Sequence, residues 1–276
     1  MLPQDDRYEM LKGCDSLRTL VIPREAGFMR PSDLSLAKGI CRHCPGLVRL
    51  DISGELTEKA LIIVGKNLRS LRYLRLEADK MKTNLTNEAF PAVAQLKELR
   101  ELRLIFMSGC HVTAKVAIAA LRNLKELRRL ELPFCSEFGD EGAKGLPSVC
   151  PYLELVDLYS CRTLTNEGLL SMASSLPYLK CLNAKRCHKL ASFQVCDVLE
   201  HKALLHLQLP NFAGLNSCAV MLKLENAGFT HEGSGRLFRC GCPIRTSDTT
   251  DESIAPHPTS GLYLRCPVCI ISRPGL

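Results

Sequence analysis

The sequence predicts an α/β solenoid, with a parallel sheet on one side and helices on the other, and three observations predict it. First, the pattern L-x-x-L-x-L recurs with its leading leucine at Leu17, Leu47, Leu71, Leu99, Leu127, Leu153, Leu179 and Leu204. Second, successive copies stand 30, 24, 28, 28, 26, 26 and 25 residues apart, room for one strand, one helix and their turns. Third, the 276 residues are 46% apolar and 24% charged, enough to bury a continuous core and too apolar for disorder.

Taken in order, residues 1–16 read as an N-terminal cap or a truncated repeat. Leu11-Lys12-Gly13-Cys14 has the look of a repeat helix ending, since Cys14 precedes Leu17 by three residues as Cys150 precedes Leu153. Residues 17–228 hold the eight copies, each a leucine-rich repeat by its length and pattern. Around Leu71, Leu74 and Leu76 point inward at period two, while Tyr73, Arg75 and Glu77 point outward. Ile22, Ile52 and Ala184 replace the last leucine in three copies and keep its apolar character. Helix starts follow at Leu85-Thr86-Asn87-Glu88-Ala89 and Leu164-Thr165-Asn166-Glu167-Gly168, where Thr86 and Thr165 can cap and the acidic residue meets the helix dipole. One such unit cannot bury its own apolar face. Stacked units bury a shared core, so the expected fold is a ribonuclease-inhibitor-like horseshoe with a parallel concave sheet and convex helices.

Residues 229–276 lack the leucine pattern and read as an irregular, cysteine-containing tail. Ser247 to Gly261 is Pro/Ser/Thr-rich, as in a linker. Flanking it, Cys240-Gly241-Cys242 and Cys266-Pro267-Val268-Cys269 form two cysteine pairs beside turn residues. Four such thiolates suit a tetrahedral zinc, which would fold a piece too small for its own core; a tail without metal is the plainer reading, and no other cofactor is implied. His231 and His257 are substitute ligands.

Three of the copies carry a cysteine in one fixed slot after the strand. The clearest reads Leu158-x-x-Cys161-x-x-Leu164-Thr165-Asn166-x-Gly168-Leu169. The preceding copy gives Leu132-x-x-Cys135-x-x-Phe138-Gly139-Asp140-x-Gly142, followed by Cys150-Pro151-Tyr152-Leu153, and Cys187 fills the same slot after Ala184. The other five copies place Glu25, Glu55, Asp79, Met107 and Phe212 there, so the subtype is mixed. These residues resemble the cysteine-containing repeats of F-box/LRR proteins; the likeness covers roughly residues 11–209, and the chain reads as the repeats without the F-box that precedes them in that family. It implies a protein-interaction scaffold, a substrate-recognition module in SCF-type ubiquitin-dependent degradation, with a cullin-ligase adaptor among its partners.

Fifteen cysteines is an odd number, and the segment from Met1 to Arg7 has no apolar signal region, so reduced thiols in cytosol or nucleus are expected. No apolar run has the length of a membrane span, so no membrane partner is expected. Cys41-Arg42-His43-Cys44 is metal-like in spacing, yet both cysteines fall in apolar columns of the repeat. Core packing is the reading for them, as for Cys135, Cys161 and Cys187.

Two surfaces are candidates for binding. On the concave face the central outward column is Asp51, Arg75, Arg103, Glu131, Asp157, Asn183, Gln208, with Asp51/Arg75 and Arg103/Glu131 placed to pair with each other. Tyr73, Ile105, Leu155 and Tyr159 are outward apolar residues that an approaching partner would cover, so Tyr73, Arg75, Arg103, Ile105, Leu155 and Tyr159 form the expected partner site. The second surface is a basic edge, Arg69, Arg72, Lys97, Arg100, Lys125 and Arg128, within a stretch, residues 65–129, of 14 Lys/Arg against 6 Asp/Glu. An acidic segment or a phosphorylated peptide suits it, whereas interleaved Glu98, Glu101 and Glu126 weaken a field for nucleic acid. No Gly-rich phosphate loop, H-E-x-x-H helix or G-x-S-x-G elbow is present, so no enzyme is expected. The alternative is a zinc-stabilised tail, carried on the solenoid, that binds nucleic acid or an acidic protein.

Overall fold

A computed structural model describes residues 11–23, 33–54, 57–78, 84–106, 109–190, 198, 203–209, 230–232 and 236–238. All eight leucine copies form strands: β1 (Thr19–Ile22), β2 (Arg49–Gly54), β3 (Tyr73–Ala78), β5 (Glu101–Phe106), β7 (Arg129–Glu131), β8 (Leu155–Asp157), β9 (Cys181–Asn183) and β10 (His206–Gln208). These eight lie side by side, parallel and in chain order. Two further strands, β4 (Leu85–Thr86) and β6 (Cys110–His111), make a separate short parallel ladder that an isolated bridge from Cys110 extends to Cys135.

The register aligns each leucine with its counterpart, Leu50 with Leu74, then Leu102, Leu130, Val156, Leu182 and Leu207. Leu71, Leu74, Leu76, Leu99, Leu102 and Leu104 are fully buried, so six consecutive pattern positions supply core alone. Truncating one such leucine to alanine costs about 2–5 kcal/mol. The first copy is different: Leu17, Leu20 and Ile22 are only partly buried against the core. The described residues place a neighbour on one side of β1 only.

The helices form the second layer. They are α1 (Asp33–His43), α2 (Glu58–Asn67), a six-residue 3-10 helix (Phe90–Gln95), α3 (Ala114–Leu121), α4 (Gly139–Val149) and α5 (Asn166–Ser175), each packed on the next. The helix expected to begin around Thr86 does not do so. Leu85 and Thr86 are taken by β4, and Pro91 opens the 3-10 helix, where its missing N–H costs no bond. Thr165 does precede α5, but its hydroxyl makes no cap bond within its own helix. It donates instead to Asp140 of the previous repeat at 2.6 Å, and the Thr165 N–H donates to the same carboxylate at 2.7 Å.

That arrangement recurs. Glu58 accepts from the N–H and hydroxyl of Thr86 at 3.0 and 2.7 Å, and Asn87 accepts from those of Thr113 at 2.9 and 3.2 Å. A polar clamp thus ties each of these repeats to the one after it, on the side of the sheet where the chain enters its helices.

The sheet continues beyond the last leucine copy. Strands β11 (Thr230–Glu232) and β12 (Arg236–Phe238) are antiparallel to each other, and β12 pairs with β10. This pairing lies in a stretch the sequence suggests is irregular. It satisfies backbone groups that the outer side of β10 would otherwise leave open. The zinc candidates Cys240, Cys242, Cys266 and Cys269, and His257, lie outside the described residues.

Candidate protein-interaction surface

Parallel, in-register strands place equivalent residues about 4.8 Å apart, so a column on the helix-free face is a row of touching side chains. Asp51, Arg75, Arg103, Glu131, Asp157, Asn183 and Gln208 form this row. Four of the charges in it, Asp51, Arg75, Arg103 and Glu131, pair with one another. Arg75 Nη1 donates to Asp51 Oδ1 at 2.7 Å and to Ser53 Oγ at 2.8 Å, and its Nη2 pairs with Glu77. Arg103 Nε stands 3.0 Å from Glu131 Oε1. Asp157 accepts from the Tyr159 N–H at 2.8 Å and from Asn183 Nδ2 at 3.0 Å.

The apolar residues expected to stand exposed on this face do not. Tyr73 is 8% exposed, Ile105 1%, Leu155 4% and Tyr159 8%. The physical reason is cross-strand packing by long side chains. The Arg49 guanidinium lies 3.8 Å from the Tyr73 ring centroid, and the Tyr73 hydroxyl donates to Asp51 Oδ2 at 3.4 Å. Phe134 meets Tyr159 edge-on at 5.4 Å, and Arg186 covers that ring at 5.7 Å. Arg75 and Arg103 keep 16% of their side-chain surface.

The basic edge is different. At the entrance to the strands, backbone bonds of 2.7–2.8 Å run from Arg72 to Val48, Arg100 to Arg72, Arg128 to Arg100, Glu154 to Arg128 and Lys180 to Glu154, each N–H donating to the preceding carbonyl. This ladder holds Arg72, Arg100 and Arg128 at strand spacing, with Arg69, Lys97 and Lys125 three residues before them in the turns. All six are exposed. Arg72 pairs with Glu98 at 3.4 Å and Arg128 with Glu154 at 2.8 Å. Arg69, Lys97, Arg100 and Lys125 make no ion pair with another described residue.

Sequence reasoning missed the neighbouring part of this edge. Tyr152 and Tyr178 are 45% and 52% exposed, with ring centroids 5.9 Å apart. Their signal was the repeated Pro-Tyr-Leu before β8 and β9, in the slot where earlier copies carry Glu98 and Glu126.

The cysteines behave as packing groups. The thiols of Cys135, Cys161 and Cys187 donate to carbonyls of Val112, Leu132 and Leu158 at 3.5, 3.6 and 3.1 Å, one repeat back. Burial pushes Cys187 and Cys150 up to about 12 and Cys161 well above the usual thiol range, which removes the nucleophilic thiolate. Cys44 is fully buried and the half-buried Cys41 is likewise raised to about 12 by burial, with Cys44 adding to it. Among the described residues no group of three or more His, Cys, Asp or Glu is arranged to hold a metal ion, and no helix is long and apolar enough to cross a membrane.

No family model matches the chain, and no curated protein matches it. Among solved structures, the crystal structure of the Rad7 and Elc1 complex in yeast is similar at 14% identity, covering 75% of this chain and 72% of that one. Its TM-score of 0.29 is too low for the likeness to bear on fold or function.

Proposed function

We propose that this chain is a protein-interaction scaffold that holds an acidic segment of a partner along its basic edge. The observation that carries the reading is the set Arg69, Lys97, Arg100 and Lys125: four exposed cations on three consecutive repeats, none paired with another described residue. Cations at roughly 5 Å spacing lie within one Debye length of each other at physiological salt, so their fields add. The helix-free face contributes less than its composition suggests, because its arginines are already engaged by Asp51, Glu77 and Glu131.

The role in ubiquitin-dependent turnover is supported by the resemblance of the Cys135, Cys161 and Cys187 copies to F-box/LRR repeats. In that role the chain selects a substrate, and a cullin-ligase adaptor is a further partner. Capture of the tagged chain from reducing lysate, with mass spectrometry, tests this second step. Recovery of a cullin and its adaptor supports it, and a partner set without them overturns it.

The edge itself is tested with a fluorescent poly-glutamate peptide. Binding should weaken as salt rises, and Arg100→Glu with Lys125→Glu should reduce affinity at least tenfold while circular dichroism stays unchanged. Unchanged affinity in the double variant sinks the reading.

A further inference from the structure

The strand-entrance edge changes chemistry part-way along. Over β3, β5 and β7 it carries the four cations that make no ion pair with another described residue. Over β8 and β9 the charges are consumed, because Glu154 binds Arg128 and Lys180, each at 2.8 Å. There the edge instead presents Tyr152 and Tyr178, side by side and about half exposed. Apart from Val21 on β1, these are the large apolar side chains that the described residues leave exposed. Tyrosines whose rings already touch form a pre-ordered apolar platform, the kind of group that carries binding energy when a partner covers it.

We propose that Tyr152 and Tyr178 are the anchor site for an apolar residue of the same acidic partner segment. This rests on the reading of the basic edge given above. It adds a spacing that a partner must satisfy. From Arg100 at the middle of the cation strip to the tyrosine pair is two to three strand separations, roughly 12 Å, or about four residues of extended chain. The segment recognised is therefore an acidic run followed, within a few residues, by an apolar side chain.

The same edge argues against a nucleic acid. Glu98 and Glu126 stand in the turns between the cations, in the very slots that Tyr152 and Tyr178 fill further on, and Glu154 follows at the entrance to β8, paired with Arg128 and Lys180. A phosphate chain running the length of the edge would meet all three carboxylates, whereas a short acidic run over the cations passes only Glu98 and Glu126 and leaves the Glu154 end to an uncharged side chain.

The test uses the full chain and three labelled probes in fluorescence anisotropy. One peptide has four acidic residues, a Ser-Gly spacer and a Leu-Pro pair, made in both chain directions. A second has Ser-Ser in place of Leu-Pro, and the third probe is a uridine 12-mer. The anchored peptide should bind about tenfold more tightly than its serine version in one direction. Tyr152→Ser with Tyr178→Ser should abolish that difference while leaving the serine peptide's affinity unchanged. Equal binding of both peptides, with no effect of the tyrosine variants, overturns the anchor and leaves the basic edge standing. Failure of both peptides to bind overturns the edge and the anchor together, as does preferential binding of the uridine probe.

Discussion

Glu131 and Asp157 face each other in register on adjacent strands β7 and β8, two carboxylates side by side on the helix-free face and nearly free of solvent. Only Glu131 has an arginine within ion-pair distance, Arg103 at 3.0 Å, with Arg129 directed at Glu101 at 3.6 Å. Asp157 is held by neutral donors, the Tyr159 N–H and the Asn183 amide. Burial first, and the neighbouring Glu131 charge second, push Asp157 up to about 7 from its ordinary 3.8.

A stability profile follows from that pair. Between about pH 4 and about pH 7 the folded chain keeps a proton on Asp157 that the unfolded chain has released. Raising the pH through this window therefore strips the proton and disfavours the fold. Urea unfolding should give lower stability near pH 8 than near pH 5, with a smaller difference in Asp157→Asn. Burial raises Glu131 as well, in the same direction as Asp157, while Glu154 is lowered by Lys180 and Arg128 against the opposing effect of its burial, so the wild-type profile holds all three and the difference from the variant reads the part that depends on Asp157. A pH profile identical in the variant would contradict the assignment.

The repeat itself was legible because it is periodic: Leu74, Leu102 and Leu130 recur at fixed spacing, and the structure puts each at zero exposure. Cys161 and Cys187 were legible for the same reason. What pattern could not show was who covers whom between strands. Nothing near Tyr73 in the chain announces that Arg49, 24 residues earlier, will lie over its ring. Nor does side-chain pattern reveal the backbone at Phe134, Ser160 and Arg186, which share one slot of the repeat and all have φ near +60°. Glycine marks such a turn in most sequences, and here three unlike residues hold it instead. The basic edge was readable as composition, but its bipartite character required knowing that Glu154 consumes Arg128.

Asp140 is expected to be the most sensitive of the clamp residues. Its carboxylate accepts two bonds from Thr165, and removing it leaves a backbone N–H and a hydroxyl without their acceptor. Asp140→Ala should cost about 2 kcal/mol in chemical denaturation. A double-mutant cycle with Thr165→Val should show coupling between the two sites. Additive losses would mean that the two side chains act independently.

Buried thiols should resist alkylation in the native state. Cys150, Cys161 and Cys187 lack solvent contact and sit far from their thiolate range. Iodoacetamide at mildly alkaline pH, followed by mass spectrometry, should leave all three unmodified until denaturant is added. Native-state labelling of Cys161 at the rate of a free thiol would contradict the packing role.

Gly65 tests how closely the repeats are stacked. A Cβ added there would stand 2.4 Å from the Ala92 carbonyl oxygen and 2.8 Å from its carbon, backbone atoms of the 3-10 helix that cannot rotate away. Gly65 lies near the end of α2 at ordinary helical backbone, so alanine there would otherwise favour the helix. Contact should outweigh propensity, and Gly65→Ala should destabilise the fold by about 1–3 kcal/mol. Alanine tolerated at this position, with an unchanged or raised melting temperature, would show that α2 and the 3-10 helix can separate without loss. The stacked core would then be looser at the third repeat than its buried leucines imply.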